Sequence, residues 1–165
     1  MKKVLSFLFA ALFSIAIIPS AFANTVSDGQ FVGSFTLNDG TEITLYLVEA
    51  DEEGISPRNR FWYNIQDGWA DPDVTHSFTC QASEGNFFYM RATNIGDTDM
   101  IVTYIYDGIQ EYQEIVTPGN RLIAYGNSNS GAGLTTSITA KIAAKNTSSS
   151  ANYSFTAEQY WNLSA

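Results

Sequence analysis

One histidine and one cysteine, His76 and Cys80, are the only residues in this chain able to supply an imidazole or a thiol. Structural zinc takes about four such ligands, so two in total exclude it. A Ser-His-Asp or Cys-His site would have to use His76. Four positions along a strand separate His76 from Cys80 by roughly 13 Å, so they form no thiolate pair unless the strand bends. The reading favoured here makes Cys80 a buried small hydrophobe and His76 a strand-end residue.

Carboxylates supply the rest of the chemistry, 17 of them against 8 basic groups. Asp71 with Asp73, Asp97 with Asp99, and Glu111 with Glu114 could each be drawn as an acid/base pair, but such pairings are common by chance at this density. A glycosidase needs two acids facing across a cleft, a property of the fold and not of the sequence. Calcium suits these groups better, because a hard cation takes six to eight oxygens from loop Asp and Asn. Asn94, Asp97 and Asp99, together with Asp71 and Asp73, are its candidate ligands, and calcium is the one cofactor expected. Gly126–Gly133 lacks the lysine of a phosphate loop and leads into a strand, so it is a flexible loop. Aromatic residues give the last candidate site. Phe61-Trp62-Tyr63 and Trp69 flank a Gly-containing turn, and Trp62, Tyr63 and Trp69 could grip a sugar or a peptide by stacking beside Asn, Gln and Asp. Alternation sets Trp62 opposite Phe61 and Tyr63.

Periodicity sets the elements that must hold these residues. Apolar side chains alternate with polar ones in short runs bounded by Gly, Asn, Asp or Pro, the signature of strands. Nine or ten strands are expected and almost no helix. Phe31–Leu37 and Ile43–Val48 flank Asn38-Asp39-Gly40, a hairpin signal whose two central residues need positive φ. Glu49–Arg60 reads as a loop. Phe61–Ile65 is a short strand turned by Gln66-Asp67-Gly68 into the loop Trp69–Asp73. Val74–Ala82 and Phe87–Thr93 form a second candidate hairpin around Glu84-Gly85-Asn86. Met100–Tyr106, Ile109–Val116 and Arg121–Tyr125 make a meander, followed by strands near Ile138–Ala144 and Asn152–Ala157. Lys141 and Lys145 share an outer face. Regular turns without helical crossovers give an all-β fold, an antiparallel β-sandwich.

The first residues give an address. Met1-Lys2-Lys3, the apolar run Val4–Ile18 and Ala21-Phe22-Ala23 read as a signal peptide over residues 1–23, leaving 24–165 as one domain. Cleavage removes Lys2 and Lys3, leaves six basic groups against the same 17 acids, and moves the net charge from −9 to −11. The product is expected to be secreted, extracellular or held in the cell envelope, in the periplasm of a Gram-negative source, with no membrane insertion after cleavage. A charge of this sign excludes nucleic acid as a partner.

Phe87–Ile142 resembles the core of bacterial extracellular immunoglobulin-like modules of the cell-adhesion type. The resemblance rests on Asn94-Ile95-Gly96 at a strand end, the strand Met100–Tyr106 with Asp107-Gly108, and the corner Val116-Thr117-Pro118-Gly119. It implies an immunoglobulin-like sandwich displayed on the bacterial exterior and carries over no catalytic residue. The expected function is a non-enzymatic binding or surface-interaction module for a glycan, cell wall or protein partner. Self-association as a matrix or fibre subunit through exposed strand edges is the alternative, with two lysines left to guard them. A carboxylate-based hydrolase is a third reading.

Overall fold

The computed structural model describes residues 29–50 and 61–161. The signal-peptide reading lies outside the described residues, and so does the loop expected over Glu49–Arg60, apart from its first two residues. Ten strands are described: β1 (Gln30–Thr36), β2 (Thr41–Glu49), β3 (Phe61–Ala70), β4 (Asp73–Thr79), β5 (Phe87–Asn94), β6 (Met100–Tyr106), β7 (Gln110–Val116), β8 (Asn120–Ser128), β9 (Ser137–Ala144) and β10 (Ala151–Tyr160). They form two antiparallel sheets, six strands in the order β1-β2-β8-β5-β10-β3 and four in the order β4-β9-β6-β7. The all-β expectation holds, and the two sheets enclose one core.

Alternation decides which side chains enter that core. Ile43 and Leu45, Phe88, Met90 and Ala92, Leu122 and Ala124, and Tyr153, Phe155 and Ala157 face inward from the larger sheet. Met100, Val102, Tyr104 and Tyr106 meet them from β6, and Ile138, Ala140 and Ile142 from β9. Lys141 and Lys145 are exposed, as their spacing predicts. Gly126 lies opposite Phe88 on β5. A Cβ there would stand 2.0 Å from the Phe88 ring, so only glycine leaves room for that ring between the sheets.

The turns divide according to their chemistry. Between β6 and β7, Asp107 and Gly108 sit at φ 52° and 69° and the Ile109 N–H donates to the Tyr106 carbonyl, the positive-φ pair that Asp-Gly favours. Between β1 and β2 only Gly40 is at positive φ, and its N–H donates to the Leu37 carbonyl. That is the three-residue alternative, in which the left-handed residue follows the turn.

Three expectations about pairing fail. Gln66-Asp67-Gly68 does not turn the chain: β3 runs through it to Ala70, with Gln66 to Ala70 each paired with β10. Val74–Thr79 and Phe87–Asn94 make no hairpin, because β4 belongs to the four-stranded sheet and β5 to the six-stranded one. The meander ends after β7, and Thr117–Asn120 carries the chain across to β8 in the opposite sheet. Turn residues encode a reversal of direction, whereas the partner strand is chosen by which apolar faces close the core.

Candidate functional site

β3 is an edge strand, paired with β10 and among the described residues with nothing else. Its register carries one irregularity: Ala157 faces Asn64, and Glu158 faces Trp62. β10 pairs with β5 without interruption over the same residues, so the extra residue belongs to β3, and it is Tyr63. A bulge of this kind shifts the alternation by one. Trp62 and Trp69, an odd number of residues apart, would otherwise point to opposite faces. Their partners Glu158 and Asn152 are six residues apart on regular β10, so both tryptophans lie on the outer face, separated by roughly 20 Å. Trp62 is 45% exposed and Trp69 64%. Asp67, opposite Ser154, lies between them on the same face and is exposed.

Tyr63 faces the other way. Its ring stacks on Phe78 with centroids 4.9 Å apart, and Phe61 packs edge-on against it. The hydroxyl donates to Gln159 Oε1 and accepts the Gln81 N–H at 2.8 Å, and burial pushes its pKa up to about 12. Gln159 is itself buried and donates to the carbonyls of Gln81 and Gly85. Tyr63 therefore anchors the β4–β5 connection and does not share a surface with the two tryptophans.

The outer face of the six-stranded sheet holds aromatic residues that the sequence reading did not group. Phe31 meets Tyr46, Tyr46 meets Tyr125, Tyr125 meets both Tyr89 and Phe87, and Phe87 meets Tyr160, with centroids 4.8–6.2 Å apart. Each lies on a different strand from the next except the pair Phe87 and Tyr89, so only the register between strands brings them together. Arg91 Nε donates to Thr156 Oγ1 at 2.9 Å, and Arg91, Arg121 and Glu158 surround Tyr89, whose pKa is raised mainly by burial.

The calcium candidates fall at one end of the four-stranded sheet. The Lys145 N–H donates to the Asp99 carbonyl and the Ala144 N–H to the Pro72 carbonyl, so Asp99 and the Asp71–Asp73 corner flank the end of β9 from opposite sides, roughly 10 Å apart at two strand spacings. Asn94 is wholly buried and has other work: its Nδ2 donates to the carbonyls of Thr98 and Val116, and its Oδ1 accepts the Gly96 N–H. The Gly119 N–H donates to its carbonyl. The Asn-x-Gly and Pro-Gly motifs thus form a single tied corner. Asp99 pairs with Lys145 at 2.9 Å, and both line a shallow open pocket with Thr98, Asn146, Thr147 and Ser149. Asp71, Asp73 and Asp97 are exposed. Among the described residues, no three His, Cys, Asp or Glu side chains gather closely enough to hold a metal.

His76 and Cys80 both face the core, as the strand pattern requires. His76 is not at a strand end but in the middle of β4, stacked on Phe155 at 4.8 Å with Nε2 3.1 Å from the Tyr153 hydroxyl. Its ring is committed to β10. Burial pushes the Cys80 thiol up to about 12, far from a thiolate at neutral pH.

No family model matches the chain, and neither does any curated protein or solved structure.

Proposed function

We propose that this chain is an exported, non-enzymatic β-sandwich protein that binds a glycan, cell-wall or protein partner through the outer face of its β3 edge. The observation that carries the reading is the bulge at Tyr63, which brings Trp62 and Trp69 to one face, both of them exposed. Exposed tryptophans on an edge strand are costly to keep in water and useful to a partner that can cover them. The basic start, apolar run and Ala-x-Ala of residues 1–23 support export. An immunoglobulin-like reading of the fold is supported by β5 pairing with β8 in one sheet while β6 lies between β7 and β9 in the other, the pairings of strands B with E and C with F. It departs from that pattern at β10, which joins the sheet of β5, and at β4, which takes the free side of β9.

The test is capture on immobilised glycans and isolated cell walls. Wild-type protein should be retained, and Trp62→Ala and Trp69→Ala should each lose retention while keeping the wild-type unfolding midpoint. Equal retention of all three proteins overturns the reading. A second reading, assembly through strand edges, is favoured by β1, which carries no charged residue, whereas the edges β3, β4 and β7 carry Asp67, Asp73, and Glu111 with Glu114. Concentration-dependent growth in light scattering would support it, and a monomer at high concentration would remove it.

A further inference from the structure

We propose that the strip between Trp62 and Trp69 takes a linear polysaccharide of amino sugars with free, protonated amines. The proposal rests on the binding reading above and names its ligand. Rings roughly 20 Å apart on one strand cannot stack on the same sugar, so a ligand touching both must be a chain of several units. β3 is an edge with no strand beyond it among the described residues, so an extended chain can lie along it without displacing a described strand.

Charge narrows the chemistry. Neither β3 nor β10 carries a Lys or Arg; Arg91 of β5 reaches Thr156 on this face but shares its surroundings with Glu158, Asp67 is exposed between the tryptophans, and the whole chain has a net charge of −9. A polymer bearing carboxylates or sulfates meets repulsion here, and one bearing ammonium groups meets attraction from Asp67 and from the field of the whole molecule. An ammonium over a tryptophan face gains a further cation–π contribution, which a neutral sugar does not. The hydroxyl of Ser154 and the amide of Asn152 stand in register with Asp67 and Trp69, adding groups that hydrogen-bond to sugar hydroxyls.

The experiment titrates the purified chain with glucosamine oligomers from disaccharide to octasaccharide, with their N-acetylated counterparts, and with a lysine-rich peptide of similar length. Affinity for glucosamine oligomers should rise with length and level off once the chain reaches both tryptophans. Trp62→Ala or Trp69→Ala should reduce long-oligomer affinity about tenfold, to that of a short oligomer, with Trp62→Phe and Trp69→Phe retaining most of it. Asp67→Asn should weaken glucosamine binding and its salt dependence while leaving the N-acetylated series unchanged. Equal affinity for both series with Asp67→Asn silent overturns the choice of amino sugar but leaves a glycan-binding surface. Length-independent affinity overturns the two-point chain. Tryptophan-dependent binding of the peptide alone overturns the polysaccharide, and binding of none of the three probes by folded protein overturns the inference whatever the capture experiment retains.

Discussion

Asn94 is the residue whose chemistry the sequence suggests and whose role only its surroundings explain. Its oxygen and nitrogen are drawn into the corner that joins β5, the Asn94–Thr98 turn and the end of β7. Asn94→Ala would leave the buried Val116 carbonyl without its donor and the Gly96 N–H without its acceptor. Unfolding in urea should show a loss of about 3 kcal/mol, from two or three such bonds, and a loss below about 1 kcal/mol would show that water replaces the amide. His76 gives a prediction in pH. Burial lowers its pKa from 6.5, so below about 6.5 the unfolded chain binds a proton that the folded protein resists. Stability from this residue is complete above that pH and is lost as pH falls toward the folded value. The urea midpoint should drop between neutral and mildly acid pH, and His76→Gln, which keeps a partner for Tyr153, should remove the part of the drop that belongs to this group.

At the scale of the element, sheet spacing makes its own demands. The Phe88 ring lies over Gly126 where a methyl group would overlap it, so Gly126→Ala forces either the ring or β8 to move, at about 2–3 kcal/mol by overpacking. A thermal midpoint within a degree of wild type would mean that the sheets open without resistance at that point. The bulge on β3 is the other element-scale device. Deleting Tyr63 would restore plain alternation with Trp62 and Trp69 six residues apart and still on one face, and would remove the stack on Phe78. A gentler variant, Tyr63→Phe, keeps the stack and loses the hydroxyl shared by Gln81 and Gln159. It should cost roughly 1–2 kcal/mol in urea while sparing any binding that depends on the tryptophans.

For the whole molecule, binding and stability should separate. Trp69 is 64% exposed on an edge strand, so truncating it is expected to change stability by no more than about 0.5 kcal/mol. A large loss measured by calorimetry would make it a structural residue and leave the proposed site without that anchor. The same scale governs assembly, because self-repulsion at −9 opposes contact everywhere except where an edge carries no charge. β1 is such an edge, yet its register shifts between Phe31 and Gly33, and Val32 accepts a hydrogen bond from Tyr112 across the sandwich. A bulged, partly engaged edge is a poor template for strand addition, which is why the tryptophan face and not β1 carries the functional reading.

The strands and their inward faces were legible because alternation with period two is a local property: Ile43 and Leu45, Met100 to Tyr106, and Ile138 to Ala144 alternate in the sequence as they do in the core. The single His and Cys likewise bound the chemistry from the sequence alone, since ligands that are absent cannot be assembled by folding. Partner choice was not local. The β4–β5 hairpin and the meander through β8 failed because a tight turn is equally compatible with staying in a sheet or crossing to the facing one, and the decision belongs to the closure of the whole core. The tryptophan face was hidden for a related reason. One extra residue at Tyr63 reverses the alternation of everything before it, and nothing in the order Phe61-Trp62-Tyr63 announces that reversal; it exists only once β3 is laid against β10.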